Sequence, residues 1–176
     1  MLKSDLYLNF KARLAQQYNL SEDQMRLWVL VNRQNKTVRP DTVIPETDPN
    51  LTLETVRDRM ASRQNDLRLY LEVLSPDVNY NDTASPPLMI FLKYFDVTRQ
   101  TLTGQGRVYV QRSMKVSELV PTINQLMRWP PTVQVRLYEE IKPGMIEQMK
   151  PKATFQQSEI QDGDVICFQS EMSDKE

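Results

Sequence analysis

Two short strings, "MRLW" at Met25–Trp28 and "VRLY" at Val135–Tyr138, each stand at the head of a strand-like run, and each follows an amphipathic helix through a polar or proline-containing turn. A helix–turn–strand unit that occurs twice restricts the chain to two copies of one small fold. With 176 residues and a 40% apolar share, each copy has the material for its own core. The copies differ at the front. The second has two strand-like runs ahead of its helix, and the first begins at the helix.

Hydrophobic spacing fills in the elements. In "SDLYLNFKARLAQQ", Leu6, Phe10 and Leu14, with Tyr7 beside them, fall at helical intervals behind Ser4 as N-cap. "MRLWVLV" reads as a strand, and "NRQNKTVRPDTVIPETDPN", polar and with three prolines, as a loop. Thr52 caps a second helix with Leu53, Val56 and Met60 on one face. In "DLRLYLEV", Leu67, Leu69, Leu71 and Val73 alternate with Arg68, Tyr70 and Glu72, the pattern of a half-buried strand.

Ser75 to Pro87 has linker composition. The expected organisation is therefore a partial first domain at 1–74, a linker at 75–87, a second domain at 88–171 and an acidic tail at 172–176. The second domain reads as two strands, with Gly104 and Gly106 in their hairpin connection. A helix capped by Ser117 follows, carrying Leu119, Ile123, Leu126 and Met127 and stopped by "RWPP". Then come "VQVRLYEEI", a Pro143-Gly144 turn, a short "MIEQMK" and a last strand, "VICF". A missing front strand pair would leave the "MRLWVLV" strand with an unpaired edge, so the chain is expected to be a fragment whose first unit is marginal alone.

Several function classes drop out. The charges nearly cancel, 22 basic against 23 acidic, so no whole-molecule field calls for nucleic acid or an anionic membrane. Asp58 interrupts the basic run of Arg57, Arg59 and Arg63, and no stacking aromatics accompany it. No stretch has the roughly 18 apolar residues of a spanning helix, and the first residues lack a signal peptide's apolar block, so the chain is expected to be intracellular. With one cysteine, Cys167, and no histidine, no metal centre and no cofactor is expected, and the imidazole that usually activates a serine or cysteine nucleophile is missing. Cys167, inside "VICF", reads as a buried core thiol.

One local asymmetry remains. Between Ala153 and Glu176 there are six acidic residues and one basic residue, Lys175, whereas the preceding part of the second domain is slightly basic. Asp162-Gly163-Asp164 sits at the centre of this acidic stretch, directly before the last strand. It is either a tight turn, which Asp-Gly suits, or a surface for basic partners. Glu139 and Glu140 read as a solvated strand end.

Strand, strand, helix, strand, short strand, strand is the order of a β-grasp, and the strings themselves resemble a family. "SEDQMRLWVLVNRQNKTVRP", "MIFLKYFD", "VRLYEEIKPGMIEQM" and "IQDGDVICFQ" are similar to the first two C-terminal ubiquitin-like domains of the herpesvirus-associated ubiquitin-specific protease family. The resemblance implies an α+β architecture of tandem ubiquitin-like β-grasp folds, the first lacking its N-terminal strand pair. It implies a non-catalytic module that docks partner or substrate segments of the form Lys-x-x-x-Lys on an acidic surface, in the nucleus and cytoplasm. Family members carry an upstream catalytic domain with a Cys-His-Asp/Asn site; no such boxes occur here. On the family's acidic motif, Glu159, Asp162 and Asp164 match carboxylate positions, and Ser158 stands where a further aspartate often is. The competing expectations are a segment of an active deubiquitinase and a structural spacer.

Overall fold

The computed structural model describes residues 2–82 and 84–171, and the chain divides into two compact units, Met1–Val78 and Asn79–Glu176. The acidic tail expected over 172–176 lies outside the described residues. The first unit runs α1 (Tyr7–Gln17), β1 (Met25–Asn32), β2 (Val38–Val43), α2 (Leu53–Met60) and β3 (Leu69–Val73). Its sheet has the order β2-β1-β3, antiparallel throughout.

Tertiary bonds, rather than Ser4, set the start of α1. Leu6 occupies the N-cap without a side-chain cap; the Tyr7 N–H donates to Leu51 O at 2.7 Å, and the Leu53 and Glu54 N–H groups return to Asp5 O and Lys3 O at 3.0 and 2.9 Å. The buried face is Tyr7, Lys11 and Ala15, a quarter-turn away from the expected Leu6–Phe10–Leu14 row, which is half-buried at its side. Lys11 lies inside because its apolar stem packs while its ammonium pairs with Glu46. Thr52 does cap α2, its hydroxyl accepting from the Thr55 N–H at 3.2 Å.

β2 corrects the loop expected after β1. Pro40 faces Leu30 beside a bulge, on the outermost strand, where a missing N–H costs no ladder bond. β1 is consequently paired on both sides, and the sheet edges fall on β2 and β3 rather than on "MRLWVLV". The alternation in β3 also fails at its end: Glu72 is 0% exposed and Val73 37%. Glu72 is held by Arg26 (Nε 2.7 Å, Nη2 3.2 Å) and by the Trp28 indole N–H at 3.0 Å.

The second unit runs β4 (Leu88–Asp96), β5 (Thr101–Val110), a 3₁₀ turn at Val116–Leu119, α3 (Val120–Met127), β6 (Val135–Lys142), β7 (Met145–Gln148) and β8 (Val165–Ser170). The sheet order is β5-β4-β8-β6-β7, with β4 and β8 parallel and the remaining pairs antiparallel. This is an α+β, ubiquitin-like β-grasp. Leu88, Ile90 and Leu92 of β4, Ile166 and Phe168 of β8, and Ile123 of α3 form the core, closed by Phe155 and Ile160.

Gly104 and Gly106 lie within β5, not in the hairpin connection. They mark a bulge, since the register with β4 shifts between Phe91 and Lys93 and Gly106 has φ +84°. Ser117 falls inside the 3₁₀ turn, and the helix start is fixed by Glu118, whose carboxylate accepts the Lys115 N–H at 2.6 Å. Leu119 and Ile123 are buried as expected, while Leu126 is exposed. The helix ends at Arg128 with φ 57°, and the Asn124 side-chain amide donates to Val133 O at 3.1 Å to secure the following loop.

The repeat is present in the pairing itself. Arg26 opposes Glu72 and Trp28 opposes Tyr70 in β1–β3, as Arg136 opposes Gln169 and Tyr138 opposes Cys167 in β6–β8. β2-β1-β3 reproduces β7-β6-β8, each central strand preceded by its helix. Among the described residues the first unit has no counterpart of β4 and β5.

Candidate functional site: the acidic turn before the last strand

The segment between β7 and β8 is anchored from below. Phe155 and Ile160 plug the core, the Phe155 and Gln156 N–H groups donate to Met114 O and Arg112 O at 3.0 and 2.9 Å, and Thr154 and Gln157 cap one another through side-chain bonds to backbone N–H groups. The turn ends at Glu159, whose φ of 58° reverses the chain so that Ile160 points inward while Glu159 is exposed. Its carboxylate makes no ion pair or hydrogen bond among the described residues.

Asp162-Gly163-Asp164 then joins this turn to β4. Asp162 Oδ1 accepts the Met89 N–H at 2.9 Å, the Gly163 N–H donates to Met89 O at 2.8 Å, and the Phe91 N–H donates to Asp164 O at 2.9 Å. Asp164 Oδ2 accepts the Gln161 N–H at 2.8 Å, tightening the turn on itself. Gly163 has φ +81°, a conformation that suits glycine. Bonds of this kind extend the parallel β4–β8 ladder by a turn.

Of the three carboxylates matched in the sequence, then, the structure presents them unequally. Glu159 is exposed, Asp162 is half-buried, and Asp164, only 6% exposed, faces the turn. Asp164, expected beside Glu159 and Asp162 as a partner-binding acid, turns its side chain to the Gln161 N–H. The surface thus combines one outward acid with one that is held by the start of β4.

Comparison with known proteins places this geometry in a family. The family model described as the ICP0-binding domain of Ubiquitin-specific protease 7 matches residues 25–176. The chain belongs to this family. It is 34% identical over 172 residues to Ubiquitin carboxyl-terminal hydrolase 5 of Schizosaccharomyces pombe, covering 95% of this chain and 15% of that protein. To Ubiquitin carboxyl-terminal hydrolase 15 of the same organism it is 33% identical over 170 residues, covering 93% and 15%. The chain therefore spans about 15% of the length of these curated relatives. Among solved structures, the C-terminal ubiquitin-like domain of mouse tubulin-specific chaperone e aligns with TM-score 0.41 and 12% identity, over 56% of this chain and all (100%) of that one.

Within this ubiquitin-specific-protease domain, sequence reasoning missed the buried charges. Glu140 is no solvated strand end: it is 5% exposed and takes the Lys93 ammonium on both oxygens at 2.9 and 2.7 Å. The signal was present in "FLKYF", where a lysine stands in mid-strand among apolar residues. Cys167 lies beside this pair, buried; burial foremost, with the Glu140 charge behind it, pushes its thiol up to about 11. A thiol so protonated is a poor nucleophile at neutral pH. Among the described residues no group of three His, Cys, Asp or Glu side chains is placed to hold a metal ion, and no helix is long and apolar enough to cross a membrane.

Proposed function

We propose that this chain is a non-catalytic interaction module of a ubiquitin-specific protease, docking lysine-containing segments of partners or substrates on the acidic turn of its second unit. The observation that carries the reading is the outward, unpaired carboxylate of Glu159 next to Asp162, on a turn fixed from three directions. Lysines spaced as Lys-x-x-x-Lys would meet these two acids, with Asp164 holding the turn in shape. The family model's description, an ICP0-binding domain, supports a docking role for this region. In a full-length enzyme the module would keep clients near the catalytic domain and raise their effective concentration, in nucleus and cytoplasm.

Exposed ion pairs contribute only about 0.2 to 1 kcal/mol each, so two lysines alone give weak, salt-sensitive binding. Micromolar affinity needs about 8 kcal/mol and hence backbone or apolar contacts as well. The test is calorimetric titration of a Lys-x-x-x-Lys peptide into the chain and into Glu159→Gln and Asp162→Asn variants. Weakened binding in both variants supports the proposal. Unchanged affinity in Glu159→Gln, with the fold intact, removes the acidic turn from function and leaves the spacer role, which the inward bonding of Asp164 favours.

A further inference from the structure

A groove of about 380 Å³ opens in the second unit between the start of α3 and β6, and no residue of the acidic turn lines it. Val116, Val120, Pro121, Met149 and Pro151 supply its apolar lining. The groove exists because β7 stops short. β7 pairs with β6 from Tyr138 to Lys142, and one further bond runs from the Met149 N–H to Leu137 O at 2.9 Å. The chain then turns off through Lys150 and Pro151 to run beside residues 116–117, whose N–H groups donate to Ala153 O and Pro151 O at 2.8 and 3.0 Å. Val135 and Arg136 are left paired with β8 and not with β7.

Along a strand of an antiparallel sheet, the backbone groups of successive residues point to opposite neighbours. The Glu171 N–H donates to Gln134 O at 2.8 Å, so Gln134 faces β8 and Val135 faces the groove side, as Leu137 does where it meets Met149. Val135 therefore directs one donor and one acceptor toward the groove, and neither is bonded among the described residues. An open strand edge beside an apolar hollow is the arrangement by which an extended peptide adds to a sheet: the backbone supplies hydrogen bonds and the hollow takes a side chain. A residue placed directly opposite Val135 shares its face of the sheet, the face on which Leu137 is buried against the helix.

Charge selects the occupant. The strings "QRSMKVS" at 111–117 and "QMKPKATFQQS" at 148–158, which form one rim, contain four basic residues and no acid. Lys115 adjoins Val116, and Lys150 and Lys152 flank Pro151; all three are exposed, and among the described residues no ion pair holds their ammonium groups. Glu118, the next acid along the chain, turns its carboxylate onto the Lys115 backbone N–H at 2.6 Å. Within the lining, Arg136 and Glu171 pair with one another at 2.9 Å and leave no net charge. We propose that this groove docks an extended, acidic segment of a partner protein. One aliphatic residue of that segment pairs through its backbone with Val135 and rests its side chain against Val120, Pro121 and Pro151, while flanking carboxylates meet Lys115, Lys150 and Lys152. A phosphodiester backbone, also anionic, has no N–H to offer Val135 O. The site stands apart from the acidic turn, and the two surfaces select opposite charges.

The test is an amide-shift titration of the ¹⁵N-labelled chain with acetyl-Ser-Asp-Glu-Ile-Asp-Glu-Ser-amide. The amides of Val116, Val135 and Lys150 are expected to shift, and the Val135 amide to exchange more slowly with solvent. The same peptide N-methylated at its isoleucine, which removes the donor to Val135 O, and a version with lysine in place of the four acids are expected to leave these amides in place. The double variant Lys150→Glu with Lys152→Glu, at exposed positions, is expected to bind the acidic peptide about tenfold more weakly, since each exposed ion pair is a factor of about 1.4 to 5 and reversal adds repulsion. Absence of shifts at millimolar peptide overturns the proposal, as does a response unaltered by both the N-methyl group and the double variant. Equal shifts with a short single-stranded DNA overturn it in favour of nucleic acid. Concentration-dependent shifts at these amides without peptide also overturn it, because the occupant is then a second copy of the chain.

Discussion

Removing the Glu72 carboxylate should take a large share of the stability of the first unit. Glu72 is 0% exposed, and its bonds include two from Arg26 and one from the Trp28 indole. In Glu72→Ala the guanidinium loses its counter-charge and a buried indole N–H loses its acceptor. Breaking one partner of a buried pair costs about 3 to 5 kcal/mol. A unit of 78 residues holds on the order of 4 to 12 kcal/mol in all, so between about a quarter and all of it is lost. Urea unfolding followed by Trp28 fluorescence reads this directly; at a slope of about 1 kcal/mol per M the midpoint falls by about 3 M or the transition disappears. Replacing both charges, Arg26→Met with Glu72→Leu, should recover most of the loss and leave about 1 kcal/mol for the unsatisfied indole. A shift below about 1 kcal/mol in Glu72→Ala would refute this reasoning.

Three further outcomes are expected. Thr52→Ala should cost about 1 kcal/mol by removing the cap of α2, and Thr52→Ser should restore it, as read by the same urea transition. The thiol of Cys167 is held at about 11 against an ordinary 9.0. Below pH 9 both folded and unfolded chains keep that proton; between about 9 and 11 only the unfolded chain gives it up, so stability falls by about 1.4 kcal/mol per pH unit. A Cys167→Ala variant should lack that share of the alkaline decline, and thiol labelling at pH 8 should be far slower in the folded chain. Lys93→Met should cost about 3 to 5 kcal/mol in the second unit by leaving Glu140 buried without its cation.

Much of the fold was legible because the signals are local. "MRLW" and "VRLY" proved to occupy the same register against their neighbouring strands, and Thr52 proved to be a cap. β2 was hidden because Pro40 reads as a breaker, and only its place on the sheet edge makes it harmless. The Ser4 cap failed for a similar reason: the backbone of Leu51 to Glu54 satisfies the groups a cap would have taken. Glu72 and Glu140 looked like solvated positions because period-two alternation assumes one wet face, and here both faces of these strands carry buried side chains. At the site, the sequence shows three acids within six residues, but spacing does not say that Asp164 turns its carboxylate to the Gln161 N–H while Phe91 of β4, some seventy residues earlier in the chain, takes its carbonyl.

The most direct measurement of the docking surface is an amide-shift titration of the labelled chain with a Lys-x-x-x-Lys peptide, repeated from 0.05 to 0.5 M salt. Shifts centred on Glu159 to Gly163 are predicted, fading with salt as the screening length falls from about 10 Å at 0.1 M toward 3 Å at 1 M. Shifts confined to other surfaces, or a response indifferent to salt, would contradict recognition of lysines by the acidic turn.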